Sequence, residues 1–265
     1  MKTVLITGAY GGMGREMAKL LKNNGYRVFA LDYEIGDPEE NIIPIQADVT
    51  KEESVISALE KVRQHTESLD VIVHFAGVYI LDSLVEMSDD SFRKIFDVNL
   101  RGAFLVNKTF LPLMKSGSRI IMTTSELAPL DPLPFTGIYA ISKSALDKYA
   151  FSLRMELQLL NIKVSVVRAG AVSTQMLGVS TSHLDRFCEE TKLYSCNAKR
   201  FKSIVNKVEA RCIPPSRVAE KCARIIKKRH PKFAYKINRN PLLLLLNVLP
   251  QRLQFRIIKM ILKYR

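Results

Sequence analysis

A glycine-rich turn near the start of the chain limits its fold more than any other feature. Residues 7–14 read Thr-Gly-Ala-Tyr-Gly-Gly-Met-Gly, directly after an apolar run at residues 4–6 and at the start of a helical pattern. Glycines in such a turn let the chain bend tightly and let backbone N–H groups approach a pyrophosphate. A strand, this turn and a helix in succession predict a dinucleotide-binding unit. The residues expected to contact the nucleotide here are Gly8, Gly12, Met13 and Gly14.

The first 170 residues alternate apolar, β-branched runs with amphipathic stretches. The predicted strands are Val4–Thr7, Arg27–Asp32, Ile42–Ile45, Val71–His74, Arg119–Thr123 and Val164–Val167. The predicted helices are Met13–Asn23, Glu52–Gln64, Ser91–Leu113 and Tyr139–Leu160, with a later helix at Arg217–Lys228 capped by Ser216. Strands and helices that take turns in this way favour an α/β fold with one doubly wound parallel sheet and helices on both faces.

Asp32 ends the second predicted strand, about 20 residues beyond the turn, where a dinucleotide fingerprint places an acidic residue. Its carboxylate would accept hydrogen bonds from the adenosine ribose hydroxyls and repel a 2′-phosphate. No Lys or Arg is adjacent to it, and Gly11 rather than a basic residue precedes the second glycine of the turn. The sequence therefore favours NAD over NADP. Asp48 and Val49, after the third predicted strand, are expected at the adenine edge.

Tyr139 and Lys143 lie four residues apart, on one face of a predicted helix. A free phenol has a pKa of about 10, too high for an efficient base at neutral pH. A nearby cation, helped by the positive charge of oxidised nicotinamide, stabilises the phenolate and lowers that pKa. The pair therefore predicts a proton-transfer group beside a bound dinucleotide.

With these positions the sequence resembles the short-chain dehydrogenase/reductase family over residues 1–235. The resemblance implies that Tyr139 is the general acid and base, and that Lys143 adjusts its pKa and binds a ribose. It further implies that Ser125 holds the substrate oxygen and that Asn99 positions a water between Lys143 and solvent. It also implies a sheet of seven strands.

The resemblance assigns further cofactor contacts to Val172 and Thr174, in the segment that usually touches the nicotinamide carboxamide. The family's usual Asn-Asn-Ala-Gly after the fourth strand reads His-Phe-Ala-Gly in this chain. Ala76 and Gly77 keep the close approach to the cofactor. His74 is expected to be a structural replacement rather than a second catalytic base.

Two neighbours of Ser125 leave alternatives open. Thr124 is a lesser candidate for the role of holding the substrate oxygen. Glu126 faces either the substrate or solvent.

The glycine turn fits two branches of the family. Gly8, Gly12 and Gly14 match the compact members, whereas Gly8, Gly11 and Gly14 match the extended branch. Extended members carry a larger C-terminal substrate domain that 265 residues cannot supply. The length therefore favours the compact branch.

The domain organisation follows from the same resemblance and from charge. Residues 1–240 are expected to form one Rossmann-type oxidoreductase domain, with a helical substrate flap at 175–212 and a basic amphipathic tail at 241–265. Residues 1–186 hold 20 Lys and Arg against 22 Asp and Glu, whereas residues 187–265 hold 20 against 4. The positive charge therefore belongs to one face or lid of the protein.

The tail repeats cations at helical spacing beside a broad apolar face. The cations are Arg252, Arg256, Lys259 and Lys263, and the apolar face holds Leu253, Ile257, Met260, Ile261 and Tyr264. This pattern predicts docking on the domain, a contact between subunits, or a peripheral membrane contact. Binding to nucleic acid is not expected, because the aromatic side chains of a single-strand reader are missing.

An apolar, basic C-terminal end resembles the branch of the family that includes hydroxysteroid and retinol dehydrogenases. The sequence therefore predicts an NAD-dependent enzyme that interconverts a secondary alcohol and a ketone on an apolar substrate, such as a hydroxysteroid or bile acid. The alternatives are a 3-oxoacyl-thioester reductase acting on an acyl carrier protein, and an NAD(H)-sensing binding protein without turnover.

The remaining expectations concern the protein's surroundings. The family resemblance implies a homo-oligomer, either a dimer or a tetramer. The four cysteines contain no C-x-x-C pair, so neither a metal site nor a disulfide framework is expected. A cytoplasmic setting is expected, with membrane association through the tail left open as an alternative.

Overall fold

The computed structural model describes residues 1–263, apart from the side chains of residues 177–181 and 209. Within that range the chain forms seven strands that pair in parallel in a single sheet. The strands are β1 Lys2–Thr7, β2 Tyr26–Asp32, β3 Ile42–Gln46, β4 Leu69–His74, β5 Met114–Ser125, β6 Lys163–Ala169 and β7 Ala234–Ile237. The predicted fold class and the strand number implied by the resemblance are confirmed.

The strand order is β3-β2-β1-β4-β5-β6-β7, so the direction of winding reverses between β1 and β4. In open parallel sheets, ligands bind in the crevice outside the carboxyl ends of the strands at such a reversal. The glycine-rich turn follows β1 and Ala76-Gly77 follows β4. Both segments therefore meet at the crevice.

Helices cover both faces of the sheet. They are α1 Gly12–Asn23, α2 Glu52–Arg63, α3 Asp89–Phe96, α4 Gly102–Phe110, α5 Gly137–Leu157, α6 Gln175–Glu190, α7 Ser195–Glu209, α8 Pro215–Ile226, α9 Pro241–Val248 and α10 Gln251–Leu262. Buried side chains of α2, α4 and α5 pack on one face, and those of α1 and α8 pack on the other. Strand side chains alternate between the faces, since Leu5 joins the first core and Val4 and Ile6 the second.

One local prediction was incomplete and one was wrong. The predicted single helix Ser91–Leu113 is interrupted by a π-helical turn at Asp97–Arg101, which inserts one residue that hydrophobic periodicity does not reveal. Ser216 is not the cap of α8, because Pro215 occupies the first helical position, where its missing N–H has no cost.

The segments after β6 form a helical cover over one end of the domain. Side chains of α6 and α7 share a small apolar core with Phe135, and Leu262 of α10 packs against that core. Asn197 of α7 donates a hydrogen bond to the Leu262 carbonyl at 2.6 Å. Tyr264, which the sequence placed on the apolar face of the tail, lies outside the described residues.

Candidate active site

Close contacts leave no room for a side chain at three glycines of the turn, Gly8, Gly12 and Gly14. Gly8 has φ +65°, and a Cβ atom there would lie 2.6 Å from the Ala76 nitrogen. A Cβ at Gly14 would lie 2.0 Å from the Gly8 carbonyl oxygen, and one at Gly12 would lie 2.8 Å from Cγ2 of Thr174. The turn, the end of β4 and the start of α6 therefore converge. Gly12 makes the close contact, in agreement with the spacing of the compact branch.

Asp32 lies directly beneath this turn. Its carboxylate accepts hydrogen bonds from the backbone N–H groups of Tyr10 and Tyr33, both at 2.8 Å. Asp48 accepts bonds from the N–H and hydroxyl of Thr50, so it stabilises its own loop. Val49 packs against Gly102, where a Cβ would lie 2.9 Å from the valine side chain.

Ser125, Tyr139 and Lys143 come together at the carboxyl end of β5. Ser125 is the last residue of β5, and the other two lie on the first turns of α5. All three side chains are buried or line the same cavity. The Lys143 ammonium lies 5.9 Å from the centre of the Tyr139 ring and donates to the Thr123 carbonyl at 3.4 Å. The structure thus brings together three of the four residues to which the resemblance gives catalytic roles, and we call these three the catalytic group.

Burial is the largest influence on the pKa values of Tyr139 and Lys143. It raises the pKa of Tyr139 to about 12, although a hydrogen bond from Ser125 lowers that pKa and the charge of Glu126 raises it further. Burial lowers the pKa of Lys143 to about 8. Tyr139 is therefore a neutral phenol at pH 7. The lowering of its pKa by Lys143 beside a bound nicotinamide stays a prediction.

Asn99 lies in the π-helical turn and is almost completely buried. Its side chain accepts a hydrogen bond from the Val78 N–H at 2.8 Å and donates to the Val78 carbonyl at 3.0 Å. It also donates to the Ser142 hydroxyl at 3.0 Å. A Cβ at Gly77 would lie within 3.3 Å of both Asn99 and Lys143. Asn99 therefore fastens the segment after β4 to the helix that carries the catalytic group.

The structure separates the two neighbours of Ser125. The Thr124 hydroxyl donates a hydrogen bond to Asp147, which also forms a bidentate ion pair with Arg168. Glu126 is buried, and its carboxylate accepts a hydrogen bond from the Asn240 N–H at 2.6 Å. Burial raises the pKa of Glu126. The Thr124 hydroxyl is thus bonded to a core carboxylate, and the Glu126 carboxylate is bonded to the start of the tail. These bonds favour Ser125 as the hydroxyl that faces the substrate.

His74 is buried at the end of β4. Its Nε2 donates to the Asn107 side-chain oxygen at 2.9 Å, and Asn107 in turn donates to the Tyr149 hydroxyl at 3.2 Å. Burial lowers the pKa of His74 to about 4, so the imidazole is neutral at pH 7. The chain of hydrogen bonds links β4 to α4 and α5. This geometry supports a structural role.

Protonation of His74 predicts a loss of stability in acid. Since its pKa is about 4 in the folded state and 6.5 for an unperturbed histidine side chain, the unfolded chain binds more protons between these values. The free energy of unfolding should therefore fall by about 2 kcal/mol for this group alone between pH 8 and pH 5. Urea unfolding at the two pH values would measure it. His74→Asn should remove this part of the pH dependence, whereas the exposed-site control His230→Asn should retain it. Equal pH dependence in both variants would contradict the assignment.

The cavity above the catalytic group has mainly apolar walls, and the sequence missed most of them. Tyr79 packs edge-on against Tyr139, with 4.4 Å between ring centres. The other walls come from the loop after β5, the flap helices and the tail: Leu127, Leu133, Met176, Phe201, Val205 and Leu243. Phe201, Ile204, Val205 and Val208 recur at helical spacing, a signal that would have identified this wall of α7.

The residues at the crevice fit a nicotinamide dinucleotide. The glycine turn offers backbone N–H groups at the start of α1, and Asp32 offers a carboxylate at the end of β2. Val172 and Met13 line the same cavity as Tyr139 and Lys143, so the nicotinamide end would reach the catalytic group. Among the described residues, His, Cys, Asp and Glu side chains do not gather into a group that could hold a metal ion.

The chain matches the family model described as short chain dehydrogenase over residues 2–185. Versicolorin reductase of Emericella nidulans is 30% identical over 196 residues, which cover 69% of this chain and 74% of that protein. Mouse estradiol 17-beta-dehydrogenase 2 is 35% identical over 191 residues, which cover 67% of this chain. That match spans only 50% of the mouse protein.

Solved structures share the fold at lower identity. A short chain dehydrogenase family protein from Francisella tularensis superimposes with a TM-score of 0.74 at 23% identity, over 89% of this chain and 97% of that one. The 3-ketoacyl-(acyl-carrier-protein) reductase of Brucella melitensis, complexed with NADH, gives a TM-score of 0.72 at 21% identity over 89% and 96%. These similarities show the fold alone.

Proposed function

The chain belongs to the short-chain dehydrogenase family, and from that premise we propose that it uses NAD to interconvert a secondary alcohol and a ketone on an apolar substrate. The substrate class we favour is a hydroxysteroid or bile acid. The observation that carries the proposal is the meeting of Ser125, Tyr139 and Lys143 at the floor of a cavity with mainly apolar walls.

The three side chains divide the proton chemistry among them. In the oxidative direction, the substrate hydroxyl proton passes to Tyr139 while Ser125 orients the oxygen, and the carbon–hydrogen bond breaks with both electrons. NAD bound at this site would supply the hydride acceptor, and its positive charge would favour the phenolate form of Tyr139. In the reductive direction Tyr139 donates its proton to the ketone oxygen. With a pKa of about 12 from the protein's own groups, the phenol is already protonated for this step.

The walls of the cavity support an apolar substrate. Leu133, Met176, Phe201 and Leu243 offer it apolar surface, while polar groups lie near the catalytic floor. Such a cavity binds a large apolar ring system and directs one oxygen toward the floor. Similarity to a protein named for oxidation of estradiol supports the steroid class.

The test is a spectrophotometric screen of NAD reduction by the purified protein. The panel contains apolar secondary alcohols that include each hydroxyl position of a steroid, with an unrelated small alcohol for comparison. We expect a hydroxysteroid to give the highest kcat/KM. Binding of NADH without conversion of any alcohol or ketone would favour the NAD(H)-sensing alternative.

A long-chain keto lipid is the second candidate substrate. The 3-ketodihydrosphingosine reductase of Bacteroides thetaiotaomicron is 26% identical over 238 residues, which cover 88% of this chain and 87% of that protein. The basic C-terminal third would also suit the acidic carrier protein of a 3-oxoacyl-thioester reductase. Reductase assays with a 3-keto lipid and a 3-oxoacyl thioester, each with NADH and NADPH, separate these substrates from steroids.

Asp32 is proposed to select NAD over NADP. Asp32→Ala should lower the ratio of kcat/KM values for NAD and NADP by about 10-fold or more, because hydrogen bonds to a charged carboxylate and repulsion of a 2′-phosphate are both lost. Steady-state rates with each cofactor measure the ratio. Asp32→Asn removes the negative charge but keeps the support of the turn, because its amide oxygen can still accept a hydrogen bond from the Tyr10 N–H. An unchanged ratio in both variants would remove Asp32 from this role.

We infer that the chain forms a homo-oligomer. Support comes from exposed apolar side chains on two neighbouring helices, Phe104 of α4 and Phe151 and Met155 of α5. Exposed aromatic and apolar groups on adjacent helices are typical of contacts between subunits.

A further inference from the structure

The first helix of the tail, α9, forms part of the roof of the candidate active site. Leu243 lines the cavity above the catalytic group. The helix is fixed at its start, because the Asn240 N–H donates to the buried Glu126 carboxylate at 2.6 Å. The Asn240 side chain also caps the helix by accepting from the Leu242 N–H at 3.0 Å. One side of α9 therefore belongs to the substrate cavity.

The other side of α9 is apolar and open to solvent. Leu242, Leu245 and Val248 are 66%, 64% and 84% exposed. Single exposed apolar residues are common on protein surfaces, but three on an eight-residue helix indicate a surface that contacts something apolar.

The second helix, α10, presents cations beside this apolar surface. Its buried Gln254 and half-buried Leu262 face the protein. The exposed side holds Arg252, Arg256 and Lys259, followed by Lys263 just after the helix, at intervals of three or four residues. Leu253, Phe255 and Met260 are exposed on either side of this stripe. We call the exposed residues of 242–263 the tail surface.

The chain segment that carries the tail surface has charges of one sign. Residues 221–265 contain 13 Lys and Arg and no Asp or Glu. An isologous contact between two copies would place tail against tail and bring these like charges together. An anionic lipid surface instead neutralises the cations and accepts the exposed apolar side chains. Among the described residues, none of the helices is long and apolar enough to cross a bilayer.

We propose that the tail surface docks on a membrane that carries anionic lipids. The tail surface then lies in the interface between the lipid headgroups and the acyl chains. The membrane-facing helix then also roofs the cavity, so an apolar substrate dissolved in the bilayer reaches Tyr139 beside α9. This second part rests on the proposed function, whereas docking itself does not.

Vesicle sedimentation tests the docking. The purified full-length protein is mixed with vesicles of phosphatidylcholine alone, or of phosphatidylcholine and phosphatidylglycerol, at low and high salt. We expect strong partition only into the anionic vesicles, weakened by salt. The triple variant Arg252→Gln/Arg256→Gln/Lys259→Gln loses the attraction of three cations to the lipid surface. Its partition coefficient should therefore fall on the order of 100-fold.

A second variant tests the apolar contact. Leu245→Glu/Val248→Glu should lower partition by at least about 10-fold, because two side chains that enter the interface become charged. The matched control Ile56→Glu/Lys61→Gln changes exposed residues of α2 and should bind vesicles as the wild type does. Equal loss in the control, or no partition of the wild type into anionic vesicles, would overturn the proposal.

Two further measurements keep the outcomes distinct. Sedimentation velocity without lipid reports the oligomeric state, and tail variants that dissociate the oligomer while vesicle binding is unchanged would make the tail surface a subunit contact. Turnover of a water-soluble alcohol without vesicles tests the proposed function separately. Vesicle binding without turnover would contradict only the enzyme's proposed substrate chemistry, and turnover without vesicle binding would contradict only the docking.

Discussion

Replacement of Tyr139 by Phe is expected to lower kcat by at least about 100-fold, the smaller end of what a positioned acid or base contributes. The phenol is the group that passes a proton to or from the substrate oxygen. Ser125 can still orient that oxygen, but the nearby Glu126 carboxylate already accepts a hydrogen bond from the Asn240 N–H. NADH binding should remain, because the substitution removes only a hydroxyl and leaves the glycine turn and Asp32 unchanged.

Steady-state rates at saturating NAD and a fluorescence titration with NADH measure the two effects. Tyr149→Phe is the matched control, since Tyr149 lies on the same helix and its hydroxyl accepts a hydrogen bond from Asn107 outside the catalytic group. The control should retain kcat within a few-fold. A Tyr139→Phe rate close to the wild-type rate would show that another group moves the proton.

Substitution of Gly14 by Ala should be the most damaging single-methyl change in the nucleotide site. The new Cβ would lie 2.0 Å from the Gly8 carbonyl oxygen and 2.6 Å from the Ala9 Cα. Both neighbours are backbone atoms, so the turn itself must move. We expect the free energy of unfolding to fall by roughly 2 to 3 kcal/mol. NADH affinity should also fall steeply, because the displaced N–H groups no longer face a pyrophosphate.

Gly11→Ala is the matched control within the same turn. A Cβ there would meet only the Gly8 carbonyl oxygen, at 3.4 Å, which is ordinary contact. This variant should unfold at nearly the wild-type urea concentration and bind NADH with similar affinity. Similar losses in both variants would show that the turn needs flexibility at every glycine, rather than space at Gly14.

Several features of the site were predictable because they depend on short stretches of chain. The separation of Tyr139 and Lys143 by one helical turn is fixed by helix geometry alone. The glycine turn indicates its conformation through residue types that permit it. The position of Asp32 follows from the length of one helix and one strand. Local rules were sufficient for each of these.

Other structural features could not be predicted from the sequence pattern, for physical reasons. The π-helical turn that holds Asn99 adds a single residue to a long helix, and apolar periodicity is too coarse to register it. The strand β7 has only four residues, with Lys236 among them, so its apolar pattern is too short to predict it. A seventh strand was expected only from the family resemblance. The flap helices carry a helical apolar pattern in α7, but polar and basic residues around it conceal that signal.

The sequence by itself determined the fold class, the glycine-rich turn and the residues proposed as the catalytic group, because each depends on residues close together along the chain. The tertiary structure alone decided the electrostatics and the roof of the site. Burial, which no local pattern reports, raises the pKa of Tyr139 to about 12 and lowers the pKa of His74 to about 4. The hydrogen bond from the Asn240 N–H to the Glu126 carboxylate joins residues 114 positions apart, and only the folded chain brings such distant groups together.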